Sequence, residues 1–327
     1  MDVAVEAGVS LATASRVLNG STRRVADSFR APVLVAAAKL GYTANLSAQA
    51  TARGTAMVIA LLVADIADPY FGRLAAGVVR GADEVGMIVT ISITEADPAR
   101  EIRLIRELRG MRPHGLILAA SRKGEMDAAL EAELEAFSRG GGRIVALGPG
   151  VKDSRTVTID NCGGALRLGH TLASLGYRRA IVLGAAKGVR SSDERLDGFT
   201  KGFCGDGGQV EAVYHGEYDR DSGYQMVAEA IKDGLEAGTL VFGASDVLAV
   251  GALAALREAG RSVEDIAVAG FGDSSVGRDV VPSLTTVGIP LEDVGYQLLR
   301  AAVDDQWQCE VPPHLDVVLR ESTPRRI

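Results

Sequence analysis

The side chains with the most specific potential chemistry stand within the first nineteen residues. Arg16 carries a guanidinium, which can donate two parallel hydrogen bonds to a guanine base. Leu11 and Ala12 lie on the same predicted helix and could touch base edges through apolar contacts. Short polar side chains suited to phosphate oxygens surround them, namely Ser10, Thr13, Ser15 and Asn19. This set of residues predicts contact with double-stranded DNA.

Two short helices joined by a turn would position these side chains. Residues 2–7 form a short helical pattern, Gly8 permits a tight turn, and Ser10 is a predicted N-cap for a helix over 11–18. In a helix-turn-helix the second helix enters the major groove, with its first turn against the bases. Spacing alone leaves a second interpretation open, in which the helical hairpin is only a packing cap.

The charge of the chain is distributed unevenly. The net charge is −7, yet residues 1–54 hold six basic and three acidic side chains and so carry +3, which leaves −10 on the remainder. A modestly basic head on an acidic body suits a small module that touches phosphates while the rest of the protein stays off the DNA.

The body of the chain alternates β-branched runs with amphipathic helical stretches, which indicates α/β parallel sheets wound with helices. The predicted strands are 57–64, 88–93, 115–119, 144–147, 157–159, 180–183, 210–214, 240–243 and 266–271. The predicted helices are 73–85, 100–111, 126–137, 164–175, 222–231 and 247–259. So many units favour two sheets facing each other across a cleft, with ligands beyond the carboxyl ends of the strands.

Several classes of protein are disfavoured by the sequence. The longest apolar run, 57–64, is far shorter than the roughly 20 residues of a membrane span, and no basic-then-apolar leader opens the chain, so a cytoplasmic protein is expected. No cofactor or metal is expected either. The four histidines lack metal-ligand spacing, and the three cysteines are odd in number and far apart: Cys162, Cys204 and Cys309.

An enzyme is the chief rival class, and its usual motifs are missing. The nearest approach to a dinucleotide-binding glycine motif is Gly270-Phe271-Gly272, but Ser275 stands at the third glycine's place. Neither a phosphate-binding lysine loop nor a nucleophile elbow occurs. The sequence therefore predicts a binding protein that catalyses no reaction.

Nine short motifs now carry a family resemblance. They are Asp-Val-Ala from Asp2, Ala-Gly-Val-Ser from Ala7, Ser-Arg-Val-Leu-Asn-Gly from Ser15, Leu-Gly-Tyr from Leu40, Asp-Pro-Tyr-Phe from Asp68, Ile-Asp-Asn from Ile159, Glu-Arg-Leu-Asp-Gly-Phe from Glu194, Pro-Ser-Leu-Thr-Thr-Val from Pro282 and Arg-Glu-Ser-Thr-Pro from Arg320. In content and order they resemble the LacI/GalR family of transcriptional regulators. The resemblance implies a helix-turn-helix head over 1–44, a hinge helix and linker over 45–56, and a two-lobed, periplasmic-binding-protein-like body over 57–327.

The resemblance also implies partners and a mechanism. A homodimer, with a tetramer as a further option, would present two heads to a near-palindromic operator. Closure of the cleft around a small molecule would change the spacing of the two hinge helices and hence the affinity for DNA. Repression is the expected outcome, whereas induction and corepression both stay open.

The implied hinge contacts with the minor groove come from Asn45, Ala48 and Thr51. Thr51 stands where family members place a leucine that wedges between bases, and threonine is a poor wedge. Ala44 replaces a usual proline, Pro32 falls within the third helix, and the chain begins several residues later than family members do, which leaves an upstream start open. An alternative is therefore a small-molecule-binding protein whose degenerate head no longer binds DNA.

The implied effector site draws on both lobes of the body. By resemblance its residues are Tyr70, Phe71, Asp160, Arg195, Tyr218, Asp246 and Asp273. The guanidinium of Arg195 could bind a ligand through two fixed donors, although a surface ion pair with Glu194 or Asp197 is the alternative. A sugar or related polar metabolite is the default effector, followed by a purine-like base.

Overall fold

The computed structural model describes residues 2–18, 25–42, 56–120, 124 and 126–326. Within this part of the chain, a small helical head precedes two α/β lobes. The fold class predicted from the sequence is thus confirmed, including the presence of two separate parallel sheets.

The head consists of three described helices: α1 (Asp2–Glu6), α2 (Leu11–Leu18) and α3 (Asp27–Lys39). Ser10 caps α2, because its Oγ accepts the Thr13 backbone N–H at 3.1 Å. A small core made of one apolar side from each helix holds them together: Val3, Ala4, Ala14, Val33, Ala36 and Ala37. The helix predicted over 11–18 has these same limits.

Pro32 lies inside α3, beyond its first turn. A proline there removes one backbone hydrogen bond and costs on the order of 3 kcal/mol. The helix nevertheless continues to Lys39, because the fully buried Val33 and the buried Ala36 anchor its inner face. Lys39 also binds Glu6 of α1 at 2.5 Å.

The first lobe is a five-stranded parallel sheet with helices on both faces. Its strands are β1 (Ala56–Val63), β2 (Ile88–Ile93), β3 (Pro113–Leu118), β4 (Arg143–Leu147) and β5 (Arg155–Val157), in the spatial order β2-β1-β3-β4-β5. The connecting helices are α4 (Pro69–Glu84), α5 (Pro98–Met111) and α6 (Ala128–Arg139).

The second lobe repeats this arrangement with four parallel strands. They are β6 (Arg179–Ala185), β7 (Gln209–Gly216), β8 (Thr239–Gly243) and β9 (Ala267–Ala269), in the order β7-β6-β8-β9. Its helices are α7 (Asn161–Ser174), α8 (Arg190–Gly205), α9 (Arg220–Lys232), α10 (Asp246–Glu258) and α11 (Ser275–Asp279).

The chain crosses between the lobes three times. It leaves the first lobe after β5, returns after β10 (Thr286–Val287) into α12 (Leu291–Val303), and leaves again to form β11 (Val317–Val318). The α12 helix packs against α4 and completes the first lobe, whereas β10 and β11 pair with each other in antiparallel fashion. Because no single segment forms either lobe, their separation depends on these three crossings.

All nine predicted strands occur in the structure, although β5 is displaced. It covers Arg155–Val157 instead of 157–159, because its pairing with β4 ends at Val157, where the chain turns toward the second lobe. The sequence interpretation missed β10 and β11, which are two residues each, as well as α8, α11 and α12. The α8 helix contains Gly198, Gly202 and several charged residues, so few of its positions are strongly apolar.

Candidate functional site

A cavity of about 860 Å³ lies between the two lobes. We call it the cleft, and it is lined by the segments that follow each of the strands β1 to β9. Parallel strands all end at the same edge of their sheet, so the two sheets direct their carboxyl ends at one space. The volume is typical of a small-molecule site.

Arg195 lies at the inner wall of the cleft on α8, with only 4% of its surface exposed. Its Nε donates to Asn161 Oδ1 at 2.9 Å, and its Nη1 donates to the Ala244 carbonyl at 2.8 Å and to Tyr218 Oη at 3.3 Å. The guanidinium carbon stands 4.3 Å from the ring centroid of Phe271. These contacts fix both the position and the plane of the guanidinium.

The alternative of a surface ion pair for Arg195 does not fit this geometry. Its hydrogen-bond partners are Asn161, Tyr218 and Ala244, and Glu194 instead accepts a hydrogen bond from Asn161 Nδ2 at 3.0 Å. The two helices that carry this network approach very closely, because a Cβ at Gly198 of α8 would stand 2.2 Å from the Cys162 carbonyl of α7. Glycine at that position therefore sets the location of Arg195.

Tyr70 and Phe71 enter the cleft from the start of α4, with their ring centroids 5.1 Å apart. Asp68 caps that helix by accepting the Tyr70 backbone N–H at 2.9 Å. Burial raises the pKa of Tyr70 to about 12, although the positive charge of Arg195 favours the ionised form. Tyr70 from the first lobe and Arg195 from the second are thus electrostatic neighbours across the cleft.

Asp246 lies at the base of the cleft and is 3% exposed. Its Oδ1 accepts from Thr286 Oγ1 at 2.6 Å and its Oδ2 accepts from the Ser274 backbone N–H at 2.6 Å. Burial raises the pKa of this carboxyl, whereas the two hydrogen bonds act in the opposite direction. A Cβ at Gly270 would stand 2.5 Å from Oδ1, so glycine makes room for this buried acid.

Five of the seven residues expected in the effector site line the cleft: Tyr70, Phe71, Arg195, Tyr218 and Asp246. The expectation for Asp160 needs correction, because its Oδ1 caps α7 by accepting the Gly163 N–H at 2.9 Å and its Oδ2 stands 3.6 Å from Arg167 Nη2. Its carboxylate therefore serves its own helix, while Asn161 next to it lines the cleft.

Asp273 also lies outside the cleft lining. Its carboxylate binds Arg320 Nη2 at 2.5 Å and Arg278 Nη2 at 2.8 Å, and its backbone has a positive φ of 52°. Burial by itself raises the pKa of Asp273, but the hydrogen bonds from Arg320 and Arg278 outweigh it and lower the pKa below its ordinary value. The expectation for Asp273 therefore also needs correction, because its carboxylate is paired with arginines of its own lobe.

Several residues that line the cleft were missed at the level of sequence. Three of them stand inside motifs that were already recognised: Asp68 begins Asp-Pro-Tyr-Phe, Asn161 ends Ile-Asp-Asn and Glu194 begins Glu-Arg-Leu-Asp-Gly-Phe. A second group consists of charged residues outside those motifs, namely Asp65, Arg73, Glu95, Arg190, Glu217 and Asp219. Only the meeting of distant loops brings this second group together.

In the head, Leu11, Ala12, Ser15 and Arg16 are all exposed and lie on one face of α2. The opposite face buries Ala14. Ser10 Oγ and Thr13 Oγ1 lie 2.8 Å apart beside the exposed face, at the N-terminus of the helix. The remaining predicted DNA contacts, Asn19, Asn45, Ala48 and Thr51, lie outside the described residues.

Comparison with known proteins places this architecture in a family. A model of bacterial regulatory proteins of the lacI family matches residues 1–45, and a periplasmic-binding-protein-like domain matches residues 170–323. The HTH-type transcriptional regulator CelR of Thermobifida fusca is 30% identical over 310 residues, which is 92% of this chain and 90% of that protein. The chain belongs to the LacI family. GalR of Escherichia coli K12 is likewise 30% identical, over 92% of this chain and 87% of that regulator.

Solved structures of LacI-family proteins agree with the fold over the whole length. The Lac repressor dimer bound to operator and the anti-inducer ONPF has a TM-score of 0.82 at 25% identity, with 99% of this chain and 98% of that chain covered. A complex of the regulator CelR with cellobiose has a TM-score of 0.71 at 27% identity and covers 98% of both chains.

These findings make this LacI-family chain a DNA-binding transcriptional regulator with an effector-binding domain. They confirm the family resemblance and do not support the alternative of a ligand-binding protein without a DNA-binding head. The relatives named above are transcriptional regulators and not enzymes. Among the described helices, none is long and apolar enough to cross a membrane.

Proposed function

We propose that this protein is a cytoplasmic repressor whose affinity for a near-palindromic operator is set by a sugar or a similar hydroxylated metabolite bound in the cleft. The observation that carries the proposal is the cleft itself, with its fixed guanidinium, its hydrogen-bond acceptors and its aromatic walls. Sugars combine apolar ring faces with many hydroxyls, which is the chemistry that such a lining accommodates.

The proposed ligand contacts come from both lobes. Tyr70 and Phe71 supply ring faces from the first lobe, while Arg195 and Tyr218 supply polar groups from the second lobe. Asp246 accepts one hydrogen bond on each oxygen and retains further lone pairs for a ligand hydroxyl. A relative supports this class of ligand, because the regulator CelR has been solved in complex with cellobiose.

Coupling to DNA would act through the angle between the lobes. Hydrogen bonds between described residues already join them: Arg73 Nη1 donates to the Asp273 carbonyl at 3.1 Å, and the Gly124 N–H donates to the Gly188 carbonyl at 3.1 Å. A ligand that prefers one lobe angle by about 1–3 kcal/mol changes operator affinity about 5- to 150-fold. The sign of the change decides between induction and corepression.

On the DNA side, we propose that the exposed face of α2 reads the major groove. Arg16 would donate to a guanine, Leu11 and Ala12 would touch base edges, and Ser10, Thr13 and Ser15 would approach phosphates. The segment 43–55, with Asn45, Ala48 and Thr51, would add contacts as the family resemblance implies.

A homodimer would form through the free edges of the two sheets. β2 and β7 are edge strands, and together with the end of α4 they expose apolar side chains: Val79, Val85, Ile88, Ile91 and Val213. An uncovered apolar edge strand is a pairing surface, and a second copy of the chain would cover it. In support, the Lac repressor that this chain resembles is a dimer on its operator.

The test begins with selection of duplexes from a random DNA library by the full-length protein. Fluorescence anisotropy on the selected duplex then measures affinity with and without each of a panel of sugars. Arg16→Ala should weaken binding to the selected duplex by about 1–3 kcal/mol. Arg103→Ala removes the same charge from an exposed position on α5 and serves as the control. The proposal fails if no duplex is bound at low ionic strength.

The dimer is tested separately by sedimentation velocity. Ile88→Asp places a charge on an edge strand residue that is 53% exposed, and it should shift the protein toward a monomer. Val311→Asp changes a more exposed residue outside this edge and should leave the dimer intact. A wild-type monomer at micromolar concentration would contradict the proposed assembly.

A further inference from the structure

The described lining of the cleft is rich in negative charge. It contains three guanidinium groups, from Arg73, Arg190 and Arg195, and seven carboxylates. The carboxylates are Asp65, Asp68, Glu95, Glu194, Glu217, Asp219 and Asp246. A lining with this excess repels anionic ligands and attracts cations, and the low dielectric of a partly closed cavity strengthens both effects.

Two of the three guanidiniums are already committed to protein partners. Arg195 binds Asn161, Tyr218 and Ala244, as described above. Arg73 donates to the Asp273 carbonyl at 3.1 Å and stands 3.8 Å from Glu292. Arg190 is exposed. Hydrogen bonds to neutral acceptors leave the charge of Arg195 in place, but the described lining still holds four more carboxylates than guanidiniums.

Helix N-termini favour anions, and three of those that point toward the cleft are capped by side chains of the protein itself. Asp68 accepts the Tyr70 N–H at the start of α4, and Asp219 accepts the Ser222 N–H at 2.7 Å at the start of α9. Ser245 accepts the Leu248 N–H at 3.3 Å at the start of α10. A phosphate or carboxylate at these three helix ends would have to displace the cap, whereas α8 begins at the cleft without a side-chain cap.

Asp68 is where the negative charge converges. Asp65 and Asp246 are close enough to raise its pKa, in addition to the effect of burial, and Arg195 only partly offsets them. Its Oδ1 caps α4, whereas in the described part of the chain its Oδ2 accepts no hydrogen bond. A carboxylate oxygen without a donor, in a cavity large enough for a disaccharide, is a site for a positively charged donor.

We propose that the effector is a polyhydroxylated amine, such as an amino sugar, whose ammonium group binds the carboxylate of Asp68. This inference rests on the proposed function of the cleft and narrows its ligand class. The hydroxyls would use the remaining acceptors and the sugar ring would pack on Tyr70 and Phe71. The charge of the described lining disfavours sugar phosphates and sugar acids.

The test uses ligands matched in shape and different in charge. Cellobiose and the β-1,4-linked glucosamine disaccharide differ by two amines, and glucose, glucosamine and glucose 6-phosphate form a second set. Isothermal titration calorimetry measures binding to the full-length dimer, and anisotropy measures the effect on the selected operator. Each amino sugar should bind on the order of 10- to 100-fold tighter than the neutral sugar of the same shape, and glucose 6-phosphate should not bind.

Two variants isolate the role of Asp68. Asp68→Asn keeps the cap on α4 but removes the charge, and it should abolish the preference for the amine over the neutral sugar. Asp97→Asn is a matched control, because Asp97 also precedes a proline and caps its helix through the Ala99 N–H at 2.9 Å, yet it lies outside the cleft lining. It should behave as wild type.

The outcomes separate this inference from the proposed function. If a neutral or anionic compound binds tighter than the amines and changes operator affinity, the cationic ligand class is wrong and the proposed function stands. If Asp68→Asn leaves the preference for an amine intact, the assigned site is wrong. If no compound of any charge binds or alters operator affinity, the inference and the proposed sugar-controlled function fail together.

Discussion

At the scale of single residues, Arg195 organises one wall of the cleft. Its guanidinium reaches three oxygen acceptors and stacks on Phe271, and lysine cannot reproduce that planar set of donors. Arg195→Lys should lower the free energy of unfolding by about 1–3 kcal/mol, because at least one buried acceptor loses its donor. Effector affinity should fall at least about tenfold.

Chemical denaturation and calorimetry measure these two effects of Arg195→Lys. Arg220→Lys is the matched control, since Arg220 is exposed and its ion pair with Asp221 contributes little. Wild-type stability in the Arg195 variant would show that the observed hydrogen bonds do not stabilise the fold.

Asp273 gives a stability prediction with a defined pH dependence. Its pKa is lower in the folded protein than in the unfolded chain, so its bonds to Arg320 and Arg278 stabilise the fold above the ordinary carboxyl pKa. That contribution is lost as the pH falls through the lowered pKa. Asp273→Asn, which retains an amide suited to the positive φ, should cost about 1–2 kcal/mol at pH 7 and much less near pH 3.

Urea denaturation at the two pH values checks the Asp273 prediction. The control is Asp221→Asn, an exposed carboxylate paired with one exposed arginine. A penalty for Asp273→Asn that is equal at both pH values would mean that the ion pairs are not its cause.

At the scale of elements, the close contact of α7 with α8 positions the site. A Cβ at Gly198 would stand 2.2 Å from the Cys162 carbonyl, so Gly198→Ala must push the two helices apart. This overpacking should cost about 1–3 kcal/mol, and the shift of Arg195 one turn away should weaken effector binding. Thermal unfolding and calorimetry measure both effects.

Gly205→Ala is the control for this helix contact. Gly205 lies on the same helix, and the nearest atom to an added Cβ is 3.8 Å away on His170. Alanine should be tolerated there or slightly stabilising, because it restricts the unfolded chain. Equal destabilisation by both substitutions would contradict the role of the close helix contact.

At the scale of the whole molecule, Arg73 joins the two lobes. It extends from α4 of the first lobe to the Asp273 carbonyl of the second lobe. Arg73→Met should shift the ligand-free protein toward a more open lobe angle, which increases the radius of gyration in small-angle X-ray scattering. Apparent effector affinity should fall about 3- to 10-fold, because less of the protein is in the closed form.

Arg80→Met is the control for the lobe contact. Arg80 lies on the same helix, but its partners Asp293 and Tyr296 belong to α12 of the same lobe. Its removal should leave the radius of gyration unchanged. If the radius of gyration of Arg73→Met is also unchanged, this hydrogen bond does not control the angle between the lobes.

The sequence by itself determined the features that depend on local order along the chain. Apolar periodicity predicted nine strands and the two-lobed class, and the limits of α2 followed from the Ser10 cap and the spacing of its apolar side chains. The family resemblance predicted the head and five residues that line the cleft. These signals are local because each helix or strand buries its own repeating face.

Tertiary structure decided the direction and partners of charged side chains. Asp160 and Asp246 both stand at the start of a helix that follows a strand. Asp160 caps its own helix, whereas Asp246 is buried at the base of the cleft. The excess of carboxylates arises only because loops from nine strands meet at one cavity. A carboxylate's surroundings depend on residues far away in the chain, and the distances between such residues exist only in the folded protein.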